Sequence, residues 1–81
     1  MSEFKIDKEV DLTGVACPIN YVKTKLALEA LAAGQILAIL LDDGEPIVNV
    51  PRSAKEDGHK ILEVNKINDS YQVLIRRGEE Q

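Results

Sequence analysis

Cys17 is the only cysteine in the chain, and it stands in the run Asp11-Leu-Thr-Gly-Val-Ala-Cys-Pro-Ile-Asn20. Proline is favoured at the first helical position, where its missing N–H is no loss. Pro18 is therefore expected at N1 and Cys17 at the N-cap. A sulfur in that place faces the unpaired first-turn amides and the positive end of the helix dipole. Such a thiol ionises more readily, and the thiolate is the nucleophile. Bringing a thiol pKa from about 8.5 towards neutrality takes roughly 1.4 kcal/mol per unit, within reach of a helix start plus one or two hydrogen bonds. The competing reading is a buried, inert cysteine, the ordinary fate of a free thiol. Placement between the turn glycine Gly14 and a helix-starting proline favours the reactive one.

The neighbours of Cys17 follow from the same geometry. Ile19 and Asn20 supply the amides that can approach the sulfur, and the Asn20 side chain at N3 adds a further donor. Tyr21 and Lys23 on the first turns, with Arg52 on a later segment, are candidate contacts for a partner protein. His59, the single histidine, falls just beyond the second helical segment and reads as a helix-exit residue rather than a base. One cysteine and one histidine cannot furnish a tetrahedral structural zinc site within one chain, and Asp42, Asp43 and Glu45 read as turn and cap residues. No metal and no cofactor is implied. Without a second cysteine there is neither an intramolecular disulfide nor a resolving thiol, and a free thiol fits a reducing cytoplasm. A net charge of −4 argues against nucleic acid or an anionic bilayer as direct partner. No apolar run is long enough to cross a membrane.

The elements that must position these residues are legible as periodic patterns in an 81-residue chain that is 44% hydrophobic and 30% charged, as in an ordinary globular domain. One domain over 1–81 is expected, with an ordered core of about 6–76 and a polar tail at 78–81. Phe4 to Asp11 reads as a first strand and Pro18 to Ala33 as a helix. The helix shows an apolar stripe of Ile19, Val22, Leu26, Ala30 and Ala33, widened by Leu28 and Leu31, with Asn20, Lys23, Thr24 and Lys25 on the wet side. Gly34 is the expected C′ stop. Gln35 to Leu41 is a near-continuous apolar run, hence a covered central strand. A second helical segment ends at Gly58, with a kink or restart at Pro51 before Arg52 to Asp57. Lys60 to Ile67 and Tyr71 to Arg77 form a hairpin through Asn68-Asp69-Ser70. The order β-α-β-α-β-β implies a two-layer α/β sandwich: a mixed four-stranded sheet with both helices on one face.

Together, Asp11-Leu-Thr-Gly14, Ala16-Cys-Pro18, the apolar helix to Gly34, Asp42-Asp43, Ile47 to Pro51 and Gly58-His59 resemble the TusA family of small sulfur-relay proteins, also called SirA-like. The resemblance covers about residues 6 to 76. It implies a cytoplasmic carrier whose cysteine accepts sulfane sulfur as a persulfide from a cysteine desulfurase or rhodanese-like donor. The carrier then passes the sulfur to an acceptor protein for tRNA thiolation, cofactor synthesis or sulfur metabolism. The family pattern is Cys-Pro-x-Pro, and Asn20 stands here in place of the second proline. The alternative is an interaction or regulatory module in which Cys17 only caps the first helix.

Overall fold

The computed structural model describes residues 5–16 and 18–78. Phe4, Cys17 and the tail beyond Gly78, to which expectations were attached above, lie outside them. The chain forms β1 (Lys8–Asp11), α1 (Ile19–Glu29), β2 (Ile36–Asp42), α2 (Glu45–Glu56), β3 (Lys60–Ile67) and β4 (Ser70–Arg76). The sheet order is β1-β2-β4-β3. β1 runs parallel to β2, as a β-α-β crossover requires, and the other pairs are antiparallel.

The continuous apolar run of β2 has a direct cause, because both of its faces are buried. Leu37, Ile39 and Leu41 pack with Val73 and Ile75 of β4 under Ala27 and Leu28 of α1 and Val50 and Ala54 of α2. Ile36, Ala38 and Leu74 form a smaller cluster on the opposite face, with Ile6 and Leu62 against it. Both helices therefore share one face, and the molecule is the expected two-layer sandwich.

Several details depart from the sequence reading. α1 is shorter than Pro18 to Ala33 and stops at Glu29, with Ala30 as C-cap. The chain then turns early because Gln35 grips Ala32: its Oε1 accepts the Ala32 N–H at 2.8 Å, and its own N–H donates to the Ala32 carbonyl at 3.0 Å. Gly34, with φ +88°, lies inside that turn and is not the C′ residue. α2 runs unbroken through Pro51 where a kink or restart was expected. β4 begins one residue early because Ile67 pairs with Ser70, leaving a tight loop with Asn68 at φ 54°. Gly78, assigned above to the polar tail, is fastened to the domain: its N–H donates to His59 Nδ1 at 2.9 Å.

The largest correction concerns the face of α1. Asn20 and Thr24, assigned to water, are 0% exposed, while Ile19, Val22 and Leu26, assigned to the core, are 50%, 47% and 61% exposed. The Thr24 hydroxyl and the Asn20 side-chain oxygen tolerate burial because each is satisfied locally. Thr24 Oγ1 donates to the Asn20 carbonyl at 2.9 Å, and Asn20 Oδ1 accepts the Tyr21 N–H at 2.7 Å. Back-bonding of this kind lets a hydroxyl enter a core without an orphaned donor.

Candidate functional site

The segment leading to position 17 is a tightly fastened turn. Leu12 continues the pairing of β1, its N–H donating to the Leu40 carbonyl at 3.0 Å, and its side chain is buried in the main core. Asp11 Oδ1 then accepts both the Thr13 N–H at 3.0 Å and the Thr13 hydroxyl at 2.6 Å. Those bonds hold the Asp11 carboxyl below its ordinary value, because they stabilise the ionised form. The Gly14 N–H, at φ +80°, donates to Asp42 Oδ2 at 2.7 Å. Val15 closes the turn on the Leu12 carbonyl at 3.2 Å. Two carboxylates, one from each of the parallel strands, thus fix the backbone that delivers residue 17. Asp42 was read from the sequence only as part of an acidic turn. Its bond to Gly14 is a contact across 28 residues, for which no local pattern exists.

The start of α1 differs from the expected register. Pro18, at φ −93° and ψ 6°, is the N-cap, and no side chain among the described residues caps the helix. Ile19 is then N1 and Asn20 is N2 rather than N3. The Asn20 N–H donates to the Ala16 carbonyl at 3.0 Å, and the Pro18 carbonyl accepts the Val22 N–H at 3.1 Å. The Asn20 backbone donor is thereby engaged, against the expectation that it approaches the sulfur. Its side-chain Nδ2 is buried and has no hydrogen-bond partner among the described residues.

The remaining candidates fall on different surfaces. Tyr21 leans from α1 onto the end of α2, where its hydroxyl donates to Asp57 Oδ2 and lies 3.3 Å from the Ser53 carbonyl. Burial and the neighbouring Asp57 and Glu56 carboxylates push its pKa far above the usual phenol value, so Tyr21 joins two helices as a neutral hydroxyl. Lys23 is exposed on α1 and Arg52 is exposed on α2. No hydrogen bond among the described residues links Tyr21, Lys23 and Arg52 to one another. His59 leaves α2 as expected, its N–H donating to the Ala54 carbonyl at 3.0 Å. Burial holds its imidazole below the ordinary value, with Arg77 adding to the effect and Asp57 opposing it. Among the described residues no group of three or more His, Cys, Asp or Glu side chains could hold a metal ion. Among the described residues no helix is long and apolar enough to cross a membrane.

Comparison with known proteins bears on this site. The sequence model of the family described as "Sulfurtransferase TusA" matches residues 8–77. A protein of Archaeoglobus fulgidus, provisionally named a sulfur carrier protein, is 32% identical over 76 residues, covering 93% of this chain and 86% of its own length. The sulfur carrier protein TusA of Allochromatium vinosum is 27% identical over 77 residues, covering 95% and 99%. The crystal structure of a SirA-like protein from Desulfitobacterium hafniense superposes with a TM-score of 0.75 at 30% identity, over 89% of this chain and 99% of that one.

Proposed function

Because the chain belongs to the TusA sulfurtransferase family, we propose that it is a sulfur carrier that takes sulfane sulfur onto Cys17 as a persulfide and hands it to an acceptor protein in the cytoplasm. In the loading step the Cys17 thiolate attacks the outer sulfur of a donor persulfide. One S–S bond forms, one breaks, and the donor cysteine leaves as a thiolate, so no external oxidant or reductant is consumed. A cysteine desulfurase or a rhodanese-like protein is the fitting donor. The acceptor serves tRNA thiolation, cofactor synthesis or sulfur metabolism.

The match of the family model across residues 8–77, with Cys17 inside it, carries this reading. Its physical support is the fastened turn from Asp11 to Ala16, which costs little reorganisation when a partner engages the residue that follows. The outward face of α1 supplies the place to engage. Ile19, Val22 and Leu26 are exposed large apolar side chains, and at about 3.6 residues per turn they form one stripe with Lys23 and Lys25 on its two flanks. Full burial of each such side chain stabilises by roughly 1.5–3 kcal/mol, and part of that is still available to a partner. The fitting occupant is a sulfur donor or acceptor with an apolar patch rimmed by carboxylates.

Intact mass spectrometry after incubation with a cysteine desulfurase and cysteine tests the assignment. One added sulfur on the wild-type chain, and none on a folded Cys17→Ser variant, is the expected result. No adduct with either a desulfurase or a rhodanese donor would leave the regulatory-module reading in its place.

A further inference from the structure

A cavity of about 420 Å³ lies at the far half of α1, lined by Lys25, Glu29, Asp57, His59 and Arg77. Its size falls in the lower part of the range of about 300–1,000 Å³ that small-molecule sites occupy. The lining comes from the second half of α1, the exit from α2 and the residue after β4, and includes none of the residues from Asp11 to Ala16 or from Pro18 to Asn20 that flank Cys17.

Three observations make the lining more than a solvated charge cluster. Arg77 Nε is buried and has no hydrogen-bond partner among the described residues, an arrangement native structures rarely leave unanswered. Its backbone is fixed, with the N–H donating to the Gln35 carbonyl at 2.9 Å and the carbonyl accepting the Gly34 N–H at 3.0 Å. His59 uses Nδ1 to accept the Gly78 N–H, so the neutral ring carries its proton on Nε2 and is a donor there. Asp57 is held in place by the Tyr21 hydroxyl, which leaves its second oxygen free of that bond.

The charges decide the ligand class. The lining holds two cations, Lys25 and Arg77, and two carboxylates, Glu29 and Asp57. A simple anion drawn to the cations is repelled by the carboxylates, and a simple cation meets the reverse. A molecule bearing both charges at a short separation satisfies both sets at once. We propose that this cavity binds a small dipolar molecule of the amino-acid or dipeptide class, with its carboxylate against Arg77, Lys25 and the His59 Nε2–H and its ammonium against Asp57 and Glu29.

Nuclear magnetic resonance on the full chain tests this with glycine, L-alanine and glycylglycine as probes, and with acetate and methylammonium as single-charge controls. The assigned amides and the ring of the one histidine report on the lining. At least one dipolar probe should give saturable shifts at His59, Arg77 and Asp57, with affinity at least tenfold above either control. Arg77→Gln should weaken that probe at least tenfold with the rest of the spectrum unchanged. Lys25→Gln, on the exposed side of α1, gives the same readout should the first variant fail to fold. Absence of shifts with every dipolar probe, equal binding of acetate, equal binding of methylammonium, or full affinity in the folded variants would each overturn the proposal.

Discussion

Two hydrogen bonds take Asn20 out of the set of free groups at the start of α1: its N–H is used by Ala16 and its Oδ1 by Tyr21. What remains is the buried Nδ2, the only Asn20 donor still able to reach a sulfur three residues earlier. Asn20→Ala and Asn20→Pro both remove it, so both should raise the Cys17 pKa by a similar amount, about half a unit to one unit. Ultraviolet titration of the thiolate distinguishes the cases. A much larger shift with proline would show that the backbone N–H also faces the sulfur, and no shift in either would remove Asn20 from the tuning of the thiol. The proline variant should in addition lose about 1 kcal/mol of stability with the Ala16 bond. Tyr21 is a simpler case. Tyr21→Phe deletes the hydroxyl that joins α1 to Asp57, on a partly exposed surface. A loss of about 1 kcal/mol in urea unfolding is expected, with sulfur loading unchanged.

At the scale of elements, three strands were readable; the first, expected over Phe4 to Asp11, forms over Lys8–Asp11 among the described residues, and one helix face was not readable. β2 is apolar almost throughout because both its faces are covered, and β3 and β4 are bounded by turn residues, so local patterns sufficed. α1 carries apolar residues around most of its circumference, and its periodicity alone could not choose between two stripes. The structure buries Ala27 and Leu28 with Asn20 and Thr24, and turns Ile19, Val22 and Leu26 outward. The choice depends on hydrogen bonds made within the helix, such as that of Thr24 to the Asn20 carbonyl, and these leave no mark in spacing. Leu26→Lys separates the two arrangements. If Leu26 were core, the cost would be several kcal/mol; at 61% exposure the change in unfolding free energy should stay within about 0.5 kcal/mol. Sulfur transfer to a partner that uses this face should fall. Cys17 could be singled out as a candidate from its sequence neighbours, whereas the clamp on Gly14 by Asp42 could not be foreseen, since that contact exists only once β1 and β2 lie side by side. Gly14→Val, at φ +80°, should strain that clamp and cost about 1–2 kcal/mol.

Across the whole molecule, two groups with lowered pKa values, His59 and Asp11, tie stability to pH on the acid side. Burial keeps the His59 ring below its ordinary value of 6.5, so as pH falls the unfolded chain takes up that proton first. Its contribution is complete above about pH 6.5 and is lost as pH drops through the folded value. Asp11 has a folded pKa held below 3.8 by Thr13, so its contribution is lost only in stronger acid, by the same sign. Melting followed by circular dichroism should therefore be flat from neutrality to about pH 10, above which the raised Tyr21 pKa costs stability, and should begin to fall just below pH 6.5, a first step that a folded His59→Gln variant lacks. The strand order has a consequence for how the chain is made. β4 is the last element in sequence, yet it occupies the interior of the sheet between β2 and β3. A nascent chain that has released only the segments up to Ile67 has β2 paired on one edge alone and β3 paired with nothing. The sheet cannot assemble piece by piece as synthesis proceeds. Its cooperative step waits for Ser70 to Arg76 to insert, and that makes folding of this sheet a single event occurring only after β4 has left the ribosome.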